Sequence, residues 1–146
     1  MNIYIKTFEE LTSQELYKIL QLRSEVFVVE QDCVYQDIDE KDNKAIHIIG
    51  VKNNKVVAYS RIFNTGDYFE EPSIGRVVVA KSERKFGYGH EIMKVSILEI
   101  ENRFHKKTIL ISAQKYLKKF YESHGFNQVG EEYLEDNIPH IKMIKS

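Results

Sequence analysis

Two cations and two glycines stand together in Arg84-Lys85-Phe86-Gly87-Tyr88-Gly89-His90, between an apolar run and a helix-forming stretch. Gly87 and Gly89 permit backbone angles and a close approach that a Cβ would block. A helix starting there turns its free N–H groups and the positive end of its dipole toward the glycines, which suits a phosphate. Fixed charges at Arg84 and Lys85 suit a diphosphate better than an uncharged ligand. An ordinary strand-to-helix turn with solvated basic residues reads the same way, and this stretch alone does not choose between them. Spacing does exclude two nucleotide motifs: the chain has neither a Gly-x-x-x-x-Gly-Lys-Ser/Thr loop nor a three-glycine dinucleotide fingerprint.

A second group of residues could move protons. Tyr121 lies four residues before Gly125-Phe126, in a short helical stretch from Gln114 to His124. Its hydroxyl could meet a departing anion, or its ring could simply pack beside Phe120. Glu30, His47 and His140 are the candidates to take a proton from an acceptor or to touch it; pairing of Glu30 with Arg23, or plain hydrogen bonding of either histidine, is the structural alternative. Arg23 interrupts an apolar stripe, so either its stem covers the core while its head pairs with an acid, or it approaches a ligand. Asp37, Asp39 and Asp42 lack the glycine and terminal glutamate of a calcium loop, and Cys33 is alone, so no metal site and no disulfide are expected.

The elements that must position these residues follow from periodicity. Asn2–Phe8 alternates as a strand. Thr12-Ser13-Gln14-Glu15 fits a capping box, and Leu16, Ile19, Leu20, Arg23, Val26 and Phe27 then share one helical face. Glu30–Asn43 is polar and acidic, read as a long surface loop of the functional kind. Ala45–Lys52 and Lys55–Asn64 form a hairpin turned by Asn53-Asn54. Ile74–Ala80 is a β-branched run, expected as a strand covered on both faces. A helix from Glu91 repeats Met93, Ile97, Ile100 and Phe104 on one face, and Thr108–Ala113 reads as the next strand. That strand–helix–strand passage is a parallel crossover. Phe126–Tyr133 and Ile138–Ile144 close the chain as an antiparallel pair joined through Leu134–Asn137. The expected fold is α/β of mixed type: a mostly antiparallel sheet of about six or seven strands, one splayed parallel pair, and helices on both faces.

The spacing Arg84-x-x-Gly87-x-Gly89, followed at a buried strand's end by a helix carrying Tyr121 before Gly125-Phe126, resembles the GNAT (GCN5-related) N-acetyltransferase superfamily over essentially the whole chain. Val26-Phe27-Val28-Val29-Glu30-Gln31 and Glu132-Tyr133-Leu134-Glu135-Asp136-Asn137-Ile138-Pro139-His140 look like its ElaA-type branch. The resemblance implies acetyl-CoA as cofactor and direct transfer of its acetyl group to a primary amine. The backbone of Val77, Val78 and Val79 would pair with the pantetheine arm, and Arg84, Lys85, Phe86, Gly87, Tyr88, Gly89 and His90 would wrap the pyrophosphate. Tyr121 would be the general acid at the sulfur, Gln114 would stand near the cofactor, and Glu30 is the candidate base. Arg23, Glu30, His47 and His140 are the candidates for the acceptor side. Three positions depart from the family pattern: Lys81 where proline is common, Lys85 where glycine is common, and Gln114 where asparagine often contacts the cofactor. A non-catalytic acyl-CoA-binding module of the same fold is the rival reading.

Composition bounds the rest. The 146 residues suffice for one domain, 1–146, with its own core, and 42% of them are hydrophobic. With 21 basic and 22 acidic residues mixed along the chain, neither nucleic acid nor an anionic membrane is an expected partner. The expected location is the cytoplasm and the expected partner a small-molecule or peptide amine. The acidic loop from Asp37 to Asp42 favours a cationic acceptor, and an exposed sheet edge leaves room for a homodimer.

Overall fold

The computed structural model describes residues 1–146 as a single seven-stranded sheet with helices on both faces. The strands are β1 (Asn2–Thr7), β2 (Ile46–Lys52), β3 (Lys55–Phe63), β4 (Ser73–Val79), β5 (Ile109–Gln114), β6 (Asn127–Glu135) and β7 (Ile138–Lys145). The helices are α1 (Ser13–Arg23), α2 (Tyr88–Phe104) and α3 (Lys118–Glu122). Strand order is β1-β2-β3-β4-β5-β7-β6, antiparallel throughout except between β4 and β5. No helix is long and apolar enough to cross a membrane.

Local chemistry explains most boundaries. Thr12 and Glu15 form the reciprocal capping box, which starts α1 at Ser13. Asn53 and Asn54 adopt φ of 52° and 62°, and Asp136 and Asn137 adopt 51° and 62°. Both pairs make the left-handed two-residue turn that matches strand twist. The second turn is therefore shorter than the four-residue connection the sequence suggests, and it carries β6 on to Glu135. Gly87, at φ 74°, lets the chain leave a 3₁₀ turn (Lys81–Phe86) and enter α2, which begins at Tyr88 rather than Glu91.

Two other segments differ from the sequence reading. Beyond α1 the chain continues as a π-helical turn, Ser24–Glu30, whose wider hydrogen bonding rotates Glu30 away from the stripe that Val26 and Phe27 bury. Within β4 only Ser73, Ile74 and Val78 are buried, because Arg76 takes a left-handed φ of 50° and bulges the strand against β3. The strand is thus covered on both faces at its ends and borders open space in its middle.

The core is split by the sheet. One cluster, including Ile92, Met93, Ile100, Tyr121, Phe126 and Met143, lies under α2 and α3. The other, including Ile19, Leu22, Phe27, Tyr59 and Val78, lies under α1.

Candidate active site

The sheet parts between β4 and β5. These parallel neighbours pair only at Ser73 and Leu110, so past that point the β4 edge facing β5 has lost its ladder partner. The gap opens into a cavity of about 470 Å³ lined from both faces, by Tyr121 and Phe120 on the α3 side and by Phe27 and His140 on the other. Of the residues expected at a cofactor, Val77, Val78, Val79, Arg84, Gly87, Gly89, His90, Gln114 and Tyr121 line it. Lys85, Phe86 and Tyr88 do not. The Lys52 ammonium lies 4.1 Å from the Phe86 ring centre and 5.6 Å from that of Tyr88, which holds both rings on the outer side of the loop.

Arg84 is already engaged. Its Nε donates to the Val79 carbonyl at 3.1 Å, and its two terminal nitrogens donate to the Glu30 carboxylate at 2.6 and 2.8 Å. This fork is the geometry by which a guanidinium grips an oxyanion, here the Glu30 carboxylate. Arg84 in turn holds the Glu30 carboxyl below the usual carboxylate range. Glu30 lies outside the cavity wall, as an ion-pair partner of Arg84 rather than of Arg23.

The loop fits a diphosphate carrier. A Cβ built on Gly87 would project into open space. One on Gly89 would sit 3.5 Å from Phe120 and 3.7 Å from Val79, against the wall itself. The N–H groups of the first turn of α2 and the free edge of β4 supply donors to the same space. His90 shares it, with Nδ1 2.9 Å from His124 Nε2.

Tyr121 is buried at the far end, and burial, with Tyr116 adding to it, pushes its phenol pKa up. The phenol is therefore protonated through the neutral range and can donate a hydrogen bond or a proton. Gln114, at the end of β5, exchanges amide hydrogen bonds with Gln31 at 3.2 Å in both directions, tying the cavity wall to the π-helical turn.

Arg23 and His47 stand apart from the cavity, both fully buried. Arg23 Nε donates to Asp37 at 2.8 Å and Nη1 to Asp42 at 2.7 Å. Arg61 joins Asp42 at 2.9 Å and grips Asp39 at 2.8 and 2.5 Å. Arg76 Nε lies 2.8 Å from Asp37, off the hydrogen-bond axis, while its Nη2 donates to the Asp37 carbonyl at 3.0 Å. His47 Nε2 donates to the Asp42 carbonyl at 3.0 Å, so its Nδ1 accepts from the Tyr59 hydroxyl at 2.6 Å; burial pushes its pKa down and keeps it neutral. The acidic loop is thus not a free anionic surface. Its three aspartates are spent on three arginines, and any preference for a cationic acceptor must come from elsewhere.

His140 does line the cavity. Sequence reasoning missed the residues around it: Tyr35, Arg76, Ser112, Glu135 and Asp136 share the wall. The turn at Asp136-Asn137 was the available signal, because a two-residue turn sets Tyr133 opposite His140 and puts Glu135 on the same face.

Comparison with known proteins agrees with this architecture. The model of the acetyltransferase (GNAT) domain family matches residues 8–146. Protein ElaA of Escherichia coli is 44% identical over 138 residues, spanning 93% of this chain and 90% of that one. The crystal structure of Escherichia coli ElaA superposes with a TM-score of 0.92 at 40% identity, covering 99% of both chains. An acyl-CoA N-acyltransferase from Pseudomonas aeruginosa superposes with a TM-score of 0.94 at 37% identity over 100% of both. Relatedness along nearly the whole length, on a sheet that parts beside the glycine turn, makes this chain an acyltransferase that belongs to the GNAT acetyltransferase family, in its ElaA-like branch.

Proposed function

We propose that the protein is an acetyl-CoA-dependent N-acetyltransferase that passes the acetyl group directly to a primary amine. The observation that carries this is a protonated, buried Tyr121 on the wall of the gap between β4 and β5, reached from the glycine turn through one continuous cavity. Acetyl-CoA, when bound, supplies an acyl carbon activated as a thioester. The β4 edge at Val77–Val79, which has no ladder partner on the β5 side, offers backbone groups to its extended arm, a form of strand addition. The first turn of α2, with Gly87 and Gly89 leaving room and Arg84 released from Glu30, holds the diphosphate. Tyr121 donates to the sulfur as it departs, and the apolar wall around Phe120 keeps water from competing. Cys33 is absent from the cavity lining, in keeping with transfer that needs no acyl-cysteine.

Tyr121→Phe keeps the ring and removes the donor. It should lower kcat by about 10²-fold with acetyl-CoA affinity within about twofold of wild type. Calorimetry measures the affinity and thiol release the turnover. Unchanged turnover removes Tyr121 from the acid role, and saturable acetyl-CoA binding without turnover on any amine replaces the enzyme with a binding module.

A further inference from the structure

The half of the cavity opposite Tyr121 is built around one histidine. His140 sits on β7, buried apart from the edge it shows to the cavity. Its Nδ1 donates to the Ile138 carbonyl at 2.7 Å, a bond within its own strand that fixes the tautomer. Nε2 is left as the nitrogen that can gain or lose a proton, and Glu135 Oε2 lies 3.3 Å from it. Glu135 is oriented by its other oxygen, which accepts from Ser112 Oγ at 3.2 Å, and Ser112 also contacts the Tyr133 hydroxyl. The Tyr133 ring stacks on the imidazole at 6.2 Å between centroids, tilted 27°. Imidazole, carboxylate and serine form a chain across β5, β7 and β6, and all three residues line the cavity.

The ionisable groups around His140 are few. Glu135 and Tyr133 come from β6 and Asp136 from the turn; Tyr35 and Arg76 stand across the cavity, Arg76 with its charge met by Asp37. Asp136 has no cation of its own, and Glu135 has only the imidazole. A carboxylate pair without fixed counter-ions beside an imidazole suits an acceptor that arrives as an ammonium ion.

On the acyl-transfer reading above, we infer that His140 is the general base that deprotonates the acceptor amine, with Glu135 positioning it and stabilising the imidazolium that forms. The ammonium gives one proton to His140 Nε2, and the freed lone pair forms the new C–N bond to the thioester carbon. The C–S bond breaks as Tyr121 protonates the sulfur. The second proton that nitrogen sheds on becoming an amide goes to solvent, from which the phenol is restored; His140 likewise discharges to solvent through the open mouth.

The test compares wild type, His140→Gln and Glu135→Gln. Probes are glycinamide, N-α-acetyl-lysine amide and water itself, since acetyl-CoA hydrolysis asks the same base for help. His140→Gln should lower kcat/KM by about 10²-fold or more and flatten the acid limb of the pH profile, with acetyl-CoA affinity unchanged by calorimetry. Glu135→Gln should lose about tenfold and move the acid limb, an effect that simple loosening of the strand would not produce. Nitrogen-resolved NMR of the free protein should find His140 with its proton on Nδ1. Turnover of His140→Gln within threefold of wild type with an unchanged profile, or the Nε2–H tautomer, overturns the assignment and leaves the acyltransferase reading intact. Acetyl-CoA binding by wild type with no thiol release above the buffer blank overturns the transfer reading on which it rests.

Discussion

Replacing Arg23 by Met isolates what the buried charges contribute. Arg23 is fully buried and donates to Asp37 at 2.8 Å, to Asp42 at 2.7 Å and to the Asp37 carbonyl at 3.2 Å. Met fills much of the volume and removes all three donors. Removing one partner of a buried pair costs about 3–5 kcal/mol. Here Asp42 keeps Arg61 and Asp37 keeps Arg76, so the lower end, about 3 kcal/mol, applies. With a urea slope of roughly 2 kcal/mol per molar, the midpoint should fall by about 1.5 M. The pH dependence carries the signature. Burial pushes the Asp42 carboxyl up, but the hydrogen bonds and charges of Arg23 and Arg61 outweigh it and hold it below its ordinary value. Groups with depressed folded pKa contribute stability above their unfolded pKa, near 4, and lose it as pH falls through the folded value. The gap between wild type and Arg23→Met should therefore be widest at neutral pH and shrink as pH falls below about 4, where Asp42 takes up its proton. Urea titrations followed by circular dichroism over that range test it. A loss under about 1 kcal/mol at pH 7, or one that does not shrink in acid, would refute the reasoning.

Two further outcomes bear on the donor side. Glu30→Gln removes the anion gripping Arg84; because both side chains are partly exposed, stability should change by less than about 1 kcal/mol, while affinity for CoA, measured by calorimetry, should rise by a few-fold. Weaker binding would mean that Glu30 helps the ligand rather than competing with it. Gly89→Val places a branched side chain against Phe120 and Val79 on the cavity wall and should weaken CoA binding by at least about tenfold, with helix stability kept because glycine is the poorer helix former. Binding at wild-type strength in a folded variant would remove the glycine turn from the diphosphate site.

The glycine-turn side of the cavity was legible because it is local. Strand, turn and helix follow one another from Ser73 to Phe104, and the types and spacing of a few neighbouring residues determine what the turn can hold. Tyr121 needed one more contiguous stretch. The opposite side of the cavity is built from residues brought together by register and by ion pairing at distance. Arg23 reaches acids 14 and 19 residues away, and Arg76 reaches back 39 to the Asp37 carbonyl. An acidic run reads as solvated unless its cations are found, and these sat singly in apolar segments, at Arg23 and at Arg61 within β3. The bulge at Arg76 and the π-helical turn after Arg23 likewise have no periodic signature, since each departs by one residue from the pattern around it.

That difference in construction gives the two halves different kinds of support. The Tyr121 wall rests on the apolar cluster under α2 and α3, where burial fixes positions with little dependence on pH or salt. The opposite wall includes Tyr35 from the segment that the arginine–aspartate network holds down, Tyr35 itself donating to Asp37 at 3.2 Å. Loosening the network should therefore reach the acceptor first. In Arg23→Met, KM for the amine should rise while acetyl-CoA affinity stays near that of wild type. Parallel loss of both would mean that the network braces the whole cavity, and loss of neither would mean that the Gln31–Gln114 amide pair alone holds that wall in place.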